Sequence, residues 1–192
     1  MTSLAAPAYD PQLRSDQVRL GLWMFLGTVT MLFAAFASAY IVRRSGTDWR
    51  PIELPRILWA NTLILATSSG ALEFARRYAN RGCWVSARAA LWVTVALGIS
   101  FIAGQLAAWR ALVAAGVFLP TSPHSSFFYM LTGAHGVHVL AALVVLLWGV
   151  ARTRAARAGR PSDWATTMSV CRTFWHFLGG VWLFLLVLMV AF

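Results

Sequence analysis

Five long stretches of the chain contain no charged residue, and this feature constrains the fold more than any other. A bilayer core about 30 Å thick is crossed by about 20 apolar residues of helix, and in lipid only helices and closed barrels pair every backbone polar group. The stretches lack the apolar–polar alternation of barrel strands, so they indicate helices. We therefore predict an all-α, polytopic single domain of five transmembrane helices, over approximately 19–43, 56–78, 86–111, 125–152 and 171–192, with a polar N-terminal tail over 1–18.

The composition excludes an ordinary soluble domain. Of the 192 residues, 59% are hydrophobic and only 11% are charged, whereas soluble domains carry about 25% charged residues. The net charge of +10 derives from arginine alone, since the chain contains no lysine. Because the arginines lie between the apolar stretches, they indicate membrane topology rather than nucleic-acid binding. The two cysteines, Cys83 and Cys171, form no ligand motif.

The arginines are divided unequally between the two sides of the predicted bundle. Cytoplasmic segments of membrane proteins carry an excess of positive charge, so we expect the N-terminus in the cytoplasm and the C-terminus outside. The side of the N-terminus holds eleven arginines: Arg14, Arg19, Arg76, Arg77, Arg81, Arg88, Arg152, Arg154, Arg157, Arg160 and Arg172. The opposite side holds five: Arg43, Arg44, Arg50, Arg56 and Arg110.

Small and hydrogen-bonding residues recur at helical contact spacing in the first three predicted helices. Such residues let membrane helices approach closely, so they predict packed faces within one bundle. They are Gly21, Thr28 and Ala35 in the first helix, Asn61, Ser68 and Ser69 in the second, and Gly98 and Gln105 in the third.

Ionisable residues inside a membrane are functional candidates, and this chain has few of them. Among the six acids, Glu73 alone lies in a predicted helix, three and four residues before Arg76 and Arg77. That spacing predicts an ion pair on one helix face near the membrane interface. A chain without a carboxylate deep in the bundle is a poor candidate for an independent ion-coupled transporter.

Two of the four histidines lie three residues apart in the fourth predicted helix. His135 and His138 share one helix face, His176 lies about one turn inside the last helix, and His124 lies in a loop. We expect the rings of His135 and His138 to bond to neighbouring helices or backbone. Haem ligation by histidines on facing helices is an alternative, and it requires two rings at the same depth in the membrane. His138 lies about 12 Å and His176 about 6 Å from the cytoplasmic edge, so a shared haem fits these two rings poorly.

Five motifs, taken together and in order, resemble subunit III of the haem-copper oxidases, the group that includes cytochrome c oxidase. The motifs are "GLWMFLGTVTMLFAAFASAY", "NTLILATSSGALEFA", "GISFIAGQLAAW", "SSFFYMLTGAHGVHV" and "WHFLGGVWL". The resemblance runs from Gly21 to the end of the chain and fits the short, five-helix form of the family. The residues that carry it are Asn61, Ser68, Ser69, Gln105, His135, His138, Trp175 and His176.

The resemblance implies an accessory role in the aerobic respiratory chain, in the bacterial cytoplasmic (inner) membrane. Subunit III of this family binds neither haem nor copper, so the resemblance implies no catalytic, cofactor-binding or metal-binding residue in this chain. It implies packing on subunit I, which carries the haems and copper, with subunit II as a second partner. Cytochrome c or another electron donor is then met only through the complex, and bound phospholipid is expected in grooves.

The chain departs from the family pattern at three acidic positions. Val29, Ala108 and Gly179 stand where the family commonly has acids. We interpret this as a subunit specialised for structural support. The candidates for lipid contact are Trp59, Trp84, Arg76 and Arg77, because tryptophan and arginine are enriched near headgroups.

Three other functions remain as alternatives. One is the subunit III-like accessory protein of a nitric oxide reductase, which also has five helices. Another is an independent b-type membrane cytochrome that uses His135 or His138 with His176. The third is a small transporter, which would have to work without buried carboxylates.

Overall fold

The computed structural model describes residues 11–157 and 161–191, and these residues form five α-helices joined by short connections. No strand occurs in the described part of the chain, so the predicted all-α class is confirmed. Residues 1–10 of the predicted tail, Arg160 and Phe192 lie outside the described residues. The helices are α1 (Pro11–Arg43), α2 (Ile57–Asn80), α3 (Trp84–Ala114), α4 (Pro123–Arg157) and α5 (Pro161–Ala191), with a 3₁₀ turn at Leu119–Thr121.

Proline and glycine mark where these helices begin and end. Proline is the first residue of α1, α4 and α5, where its missing N–H costs no hydrogen bond. α2 and α3 are followed by Gly82 and Gly116, whose φ angles of 74° and 77° are accessible to glycine. α1 begins at Pro11, inside the predicted polar tail over 1–18. The tail is too polar for hydropathy to indicate this first part of the helix.

α4 and α5 form the centre of the bundle. α5 packs against α1, α2 and α4, and α4 packs against α1, α3 and α5. α2 and α3 form the most extensive helix pair and are joined by a connection of only three residues. The core is therefore shared by all five helices, with α1 at one side and the α2–α3 pair at the other.

Four of the five helices are long and apolar enough to cross a membrane, which makes the chain a multi-pass membrane protein. These segments are Ser15–Arg43, Trp84–Ala114, Pro123–Thr153 and Trp164–Ala191. α2 does not meet the same hydropathy criterion, because it carries Asn61, Ser68 and other polar residues. Asn61 and Ser68 are buried inside the bundle, as predicted, so they do not face lipid.

The buried face of α1 differs from the predicted one. Gly21, Thr28 and Ala35 are exposed, and the packed face is formed by larger residues. Large residues fill the interface of α1 with α4 and α5. The buried residues of α1 are Leu26, Val29, Phe33, Ala37 and Tyr40.

α2 and α3 approach each other closely at Gly104. A Cβ atom added at Gly104 would lie 2.0 Å from Asn61 Oδ1, and Asn61 Nδ2 donates to the Phe101 carbonyl at 3.5 Å. Asn61 therefore packs against a surface of α3 that only glycine leaves free.

We predict that Gly104→Ala separates α2 from α3 and destabilises the protein by about 1–3 kcal/mol, as overpacking does. Thermal unfolding of the detergent-solubilised protein measures this loss. Gly70→Ala on α2 is the matched control, because no atom lies within 4 Å of its added Cβ. Equal unfolding midpoints for the two variants would contradict the close approach.

Candidate functional site

Indole N–H groups connect the helices through hydroxyl side chains. Trp175 and Trp182 of α5 donate from Nε1 to Ser68 Oγ and Thr62 Oγ1 of α2, each at 3.0 Å. Ser68 Oγ donates onward to the Leu65 carbonyl at 2.7 Å. Two of the motif residues, Trp175 and Ser68, are thus brought together as a structural contact between distant parts of the sequence.

A third indole contact joins α3 to α4. Trp109 Nε1 donates to Thr132 Oγ1 at 3.1 Å, and Thr132 Oγ1 donates to the Phe128 carbonyl at 2.6 Å. The contacts of Trp109 and Trp182 could not be predicted from the sequence, because sequence spacing does not identify the partner of an indole N–H. The surplus of buried hydroxyls in otherwise apolar helices is the signal that such partners exist.

His135 lies in the centre of the bundle, enclosed by aromatic rings. It is 1% exposed, and its ring centroid lies 5.4 Å from that of Trp182, 5.9 Å from Phe101 and 6.4 Å from Phe33. Neither ring nitrogen has a hydrogen-bond partner within the described ranges 11–157 and 161–191. The expectation that this ring bonds to a neighbouring helix or to backbone is therefore wrong, because aromatic rings occupy the neighbouring space.

His138 has a different environment from His135. Its Nδ1 lies 2.7 Å from the Ala134 carbonyl, a bond within its own helix, as expected. Phe25 and Phe33 of α1 contact its ring at centroid distances of 6.3 and 5.7 Å. The two histidines therefore do not converge on a common point. Among the described residues, no group of three His, Cys, Asp or Glu side chains is arranged to hold a metal ion.

Gln105 is the second motif residue with unpaired polar atoms. It is buried on the α3 face that also carries Phe101, and neither atom of its amide group has a partner in the described part of the chain. Ser69, by contrast, is only partly buried and faces the outside of the bundle near α5. Asn61, Ser68, Gly98 and Gln105 are thus buried as predicted, whereas Ser69 lies at the edge of the buried face of α2.

His124 has a structural role that the sequence did not reveal. It is the second residue of α4 rather than a loop residue, and its ring stacks on Trp49 at 5.0 Å. Its Nδ1 accepts the backbone N–H of Ile52 at 2.9 Å. These contacts hold the α1–α2 connection against the start of α4.

Four charged or titratable side chains meet where α2 lies beside α5, and we call them the Glu73 cluster: Glu73, Arg76, Arg172 and His176. Glu73 Oε2 lies 3.0 Å from Arg76 Nε, and Glu73 Oε1 lies 3.2 Å from Arg172 Nε and 4.0 Å from His176 Nε2. The side chains are 31–42% exposed, so the ion pairs are partly solvated. The cluster lies toward the end of the bundle that carries the α2–α3 connection, which we call the basic end.

The predicted pairing of Glu73 is correct in part. Arg76 forms the ion pair, whereas the Arg77 guanidinium lies 5.7 Å from the centre of the Phe74 ring. Arg172 was missed because it is 99 positions away in the sequence and only the tertiary packing of α5 on α2 brings it close.

The other candidates for lipid contact do not form one site. Trp59 is 58% exposed near the start of α2, at the opposite end from Arg76 and Arg77. Trp84 is partly buried, with its ring 5.5 Å from that of Trp164 in an edge-to-face contact.

The positions of the missing acids have distinct surroundings. Val29 and Ala108, two of the positions where the resemblance implies acids, are 2% and 0% exposed, so both side chains belong to the apolar core. Val29 lies one helical turn from both Phe25 and Phe33, the two residues of α1 whose rings contact His138. Gly179 lies in a cavity wall beside His176.

Comparison with known sequences decides the family. Residues 10–192 match the model of the family described as Cytochrome c oxidase subunit III. The chain belongs to the cytochrome c oxidase subunit III family. The match covers the whole described bundle, so the resemblance read from the five motifs is confirmed.

Bacterial members of the subunit III family align with nearly the whole chain at 30% identity. Cytochrome c oxidase subunit 3 of Bacillus sp. (strain PS3) aligns over 94% of this chain and 88% of its own length. The corresponding protein of Alkalihalophilus pseudofirmus aligns over 96% and 92%, and that of Thermostichus vulcanus over 88% and 85%. The chain is therefore a terminal oxidase subunit III that belongs in a complex with other oxidase subunits.

We predict that the Trp175–Ser68 hydrogen bond couples α5 to α2. In a double-mutant cycle with Trp175→Phe and Ser68→Ala, the unfolding midpoints should give a coupling free energy of about 0.5–1.5 kcal/mol. The control cycle combines Trp175→Phe with Thr132→Ala. These two residues do not hydrogen-bond to each other, so their effects on the free energy of unfolding should be additive. Additivity in both cycles would contradict the contact.

We also predict that position 29 accepts a carboxylate because of His138. The control is Val95→Glu on α3, because Val95 is as buried as Val29. A buried charge without a partner costs about 3–5 kcal/mol. The Val95→Glu variant should therefore unfold at a much lower temperature than the Val29→Glu variant. Adding His138→Phe should remove the advantage of Val29→Glu. If the two glutamate variants are equally unstable with His138 present, position 29 does not face that ring.

Proposed function

We propose that this chain is the non-redox accessory subunit III of a proton-pumping terminal oxidase of the cytochrome c oxidase type. The observation that carries the proposal is the family match over residues 10–192, which spans all five helices. In this role the chain packs on subunit I, with subunit II in the same complex, and supports aerobic respiratory electron transport. Cytochrome c or another donor interacts with the complex rather than with this chain.

The surroundings of the histidines support a chain without its own redox centre. His135 is enclosed by the rings of Phe33, Phe101 and Trp182, so its neighbours are protein side chains. His138 bonds within its own helix, and His176 lies beside Glu73 of α2. A b-type cytochrome would need two of these rings to face one haem, whereas Phe33 packs against both His135 and His138.

The distribution of arginine supports a topology with the basic end in the cytoplasm and the C-terminus outside, in the bacterial inner membrane. In that topology α2 is the fifth membrane-crossing helix. Its polar residues Asn61, Thr62 and Ser68 contact α3 or α5, so its low hydropathy does not expose polar groups to lipid.

The outer surface of α1 supports packing against a partner subunit or lipid. Met31 is 76% exposed, and Trp23 and Met24 are also exposed on this helix. Among the described helices α1 packs against α4 and α5, so much of its apolar surface is open to contact with subunit I.

The test is purification of the tagged chain from its native membrane in mild detergent, with an optical spectrum and mass spectrometry of the product. We expect a large haem- and copper-bearing subunit to co-purify with a-type haem bands, and the isolated chain to be colourless. His135→Phe should leave the spectrum of the complex unchanged, since the ring holds no haem in this proposal.

Two outcomes would contradict this assignment in different ways. Co-purification with the catalytic subunit of a nitric oxide reductase would favour the related accessory protein. A Soret band from the isolated chain that disappears in His135→Phe or His138→Phe would identify a b-type cytochrome.

A further inference from the structure

The α1–α2 connection, residues 44–56, is fastened to the start of α4 through one histidine. The backbone N–H of Ile52 donates to His124 Nδ1 at 2.9 Å. The indole of Trp49 stacks on the same ring, with centroids 5.0 Å apart and the two planes inclined by 21°. Two residues of the connection therefore depend on the position and the chemical state of a single titratable side chain.

The hydrogen bond from Ile52 fixes the protonation state of the His124 ring. A backbone N–H can only donate, so Nδ1 must be the acceptor. A neutral imidazole has one acceptor nitrogen and one N–H, so the proton of this ring lies on Nε2. In the charged ring both nitrogens carry a proton, and Nδ1 can no longer accept from Ile52. The contact between the connection and α4 therefore requires the neutral form of His124.

The immediate surroundings of His124 do not stabilise a charged ring. The residue is 4% exposed, and the Tyr40 ring packs edge-on against it at a centroid distance of 5.8 Å. Neither His124 Nε2 nor Tyr40 Oη has a hydrogen-bond partner among the described residues. The face of Trp49 attracts a cation weakly, but it provides no acceptor for a second N–H. Protonation in this position would create a buried charge without a counter-ion.

The charged groups of the neighbouring segments add to this effect. The first turn of α4 contains no acid, and Asp48 is paired with Arg43. Within the described ranges, no carboxylate forms an ion pair with His124. Four arginines against two carboxylates make this end of the bundle positive, which disfavours a further cation. These charged residues are all exposed and comprise Arg43, Arg44, Asp48, Arg50, Glu53 and Arg56.

A cavity beside the connection leaves space for it to move. Its volume is about 1280 Å³, and it is lined by Thr47 and Arg50 of the connection and by Ser122 and Phe127 near the start of α4. Ser122 Oγ donates to the Arg50 carbonyl at 3.2 Å, a bond without a titratable group. Loss of the Ile52 bond can therefore free one part of the connection while its bond to Ser122 remains.

We propose that protonation of His124 releases the α1–α2 connection from α4 when the outer side of the membrane becomes acidic. This inference rests on the proposed function, which places the connection outside and supplies the acid through proton pumping. A released ring is hydrated and has the ordinary histidine pKa of about 6.5. Since the attached state binds the neutral ring, its stability is complete above this pH and falls as the pH decreases. Below about pH 6.5 the equilibrium constant for release rises by up to about tenfold per pH unit.

The test is hydrogen–deuterium exchange of the intact complex in lipid nanodiscs at pH 7.5 and 5.5, with exchange rates corrected for the intrinsic effect of pH. The protection of the Ile52 amide should fall about tenfold between these two values. His124→Asn places an amide oxygen near the position of Nδ1 and does not titrate, so protection should be retained at both pH values. His124→Phe removes the acceptor, so protection should be low at both. His176→Asn, at the basic end, is the matched control and should leave the pH response of Ile52 unchanged.

Three results would overturn the proposal. One is an Ile52 amide whose protection is the same at both pH values in the unmodified complex. Another is a pH response that persists in both His124 variants, because a different group would then titrate. The third is a response that disappears in His176→Asn. Mass spectrometry of the same samples shows whether the oxidase subunits are present, so failure of the proposed function is distinguishable from failure of this inference.

Discussion

Two indole N–H groups on α5 make the position of α2 in this bundle possible. α2 is the most polar of the five helices and carries hydroxyl and amide groups on its inner face. In a hydrocarbon environment each of these groups needs a partner, because water is not available to replace one. Trp175 and Trp182 supply donors to Ser68 and Thr62, and each hydroxyl donates in turn to its own helix backbone. The same tryptophans also provide large apolar surfaces that complete the core.

The three missing acids are understood through this packing. At Val29 and Ala108 the side chains are part of the buried core, and their replacement by apolar residues leaves no unpaired charge. Gly179 lines a space beside His176, and the carboxylate near that ring is Glu73 on the neighbouring helix. Trp175 and Ser68 thus join α5 to α2 through neutral side chains, and the nearby Glu73 is paired with two arginines.

Much of the fold could be predicted from the sequence because hydropathy and helix boundaries are local properties. The lengths of the uncharged stretches indicate the helices, and Pro123 or Gly116 mark an end without reference to the rest of the chain. The buried face of α1 could not be predicted, since in lipid both faces of a helix are apolar and only contact with α4 and α5 selects one.

The candidate site was less predictable, because its contacts join residues far apart in the sequence. The Glu73–Arg76 pair follows from helical spacing, but the Glu73–Arg172 pair depends on how α5 crosses α2. In the same way, the spacing of His135 and His138 places both on one face. Only the three-dimensional packing shows that one is enclosed by aromatic rings and the other lies against α1.

The short connection between α2 and α3 has a consequence for how the protein enters the membrane. α2 is the least apolar of the five helices, whereas α3 is strongly apolar and is joined to α2 by only three residues. The glycine-capped turn at Gly82 closes the pair as a helical hairpin, and Gly104 allows Asn61 to lie against α3. Insertion of α2 is therefore coupled to that of α3, so the biogenesis unit of this region is the hairpin rather than the single helix.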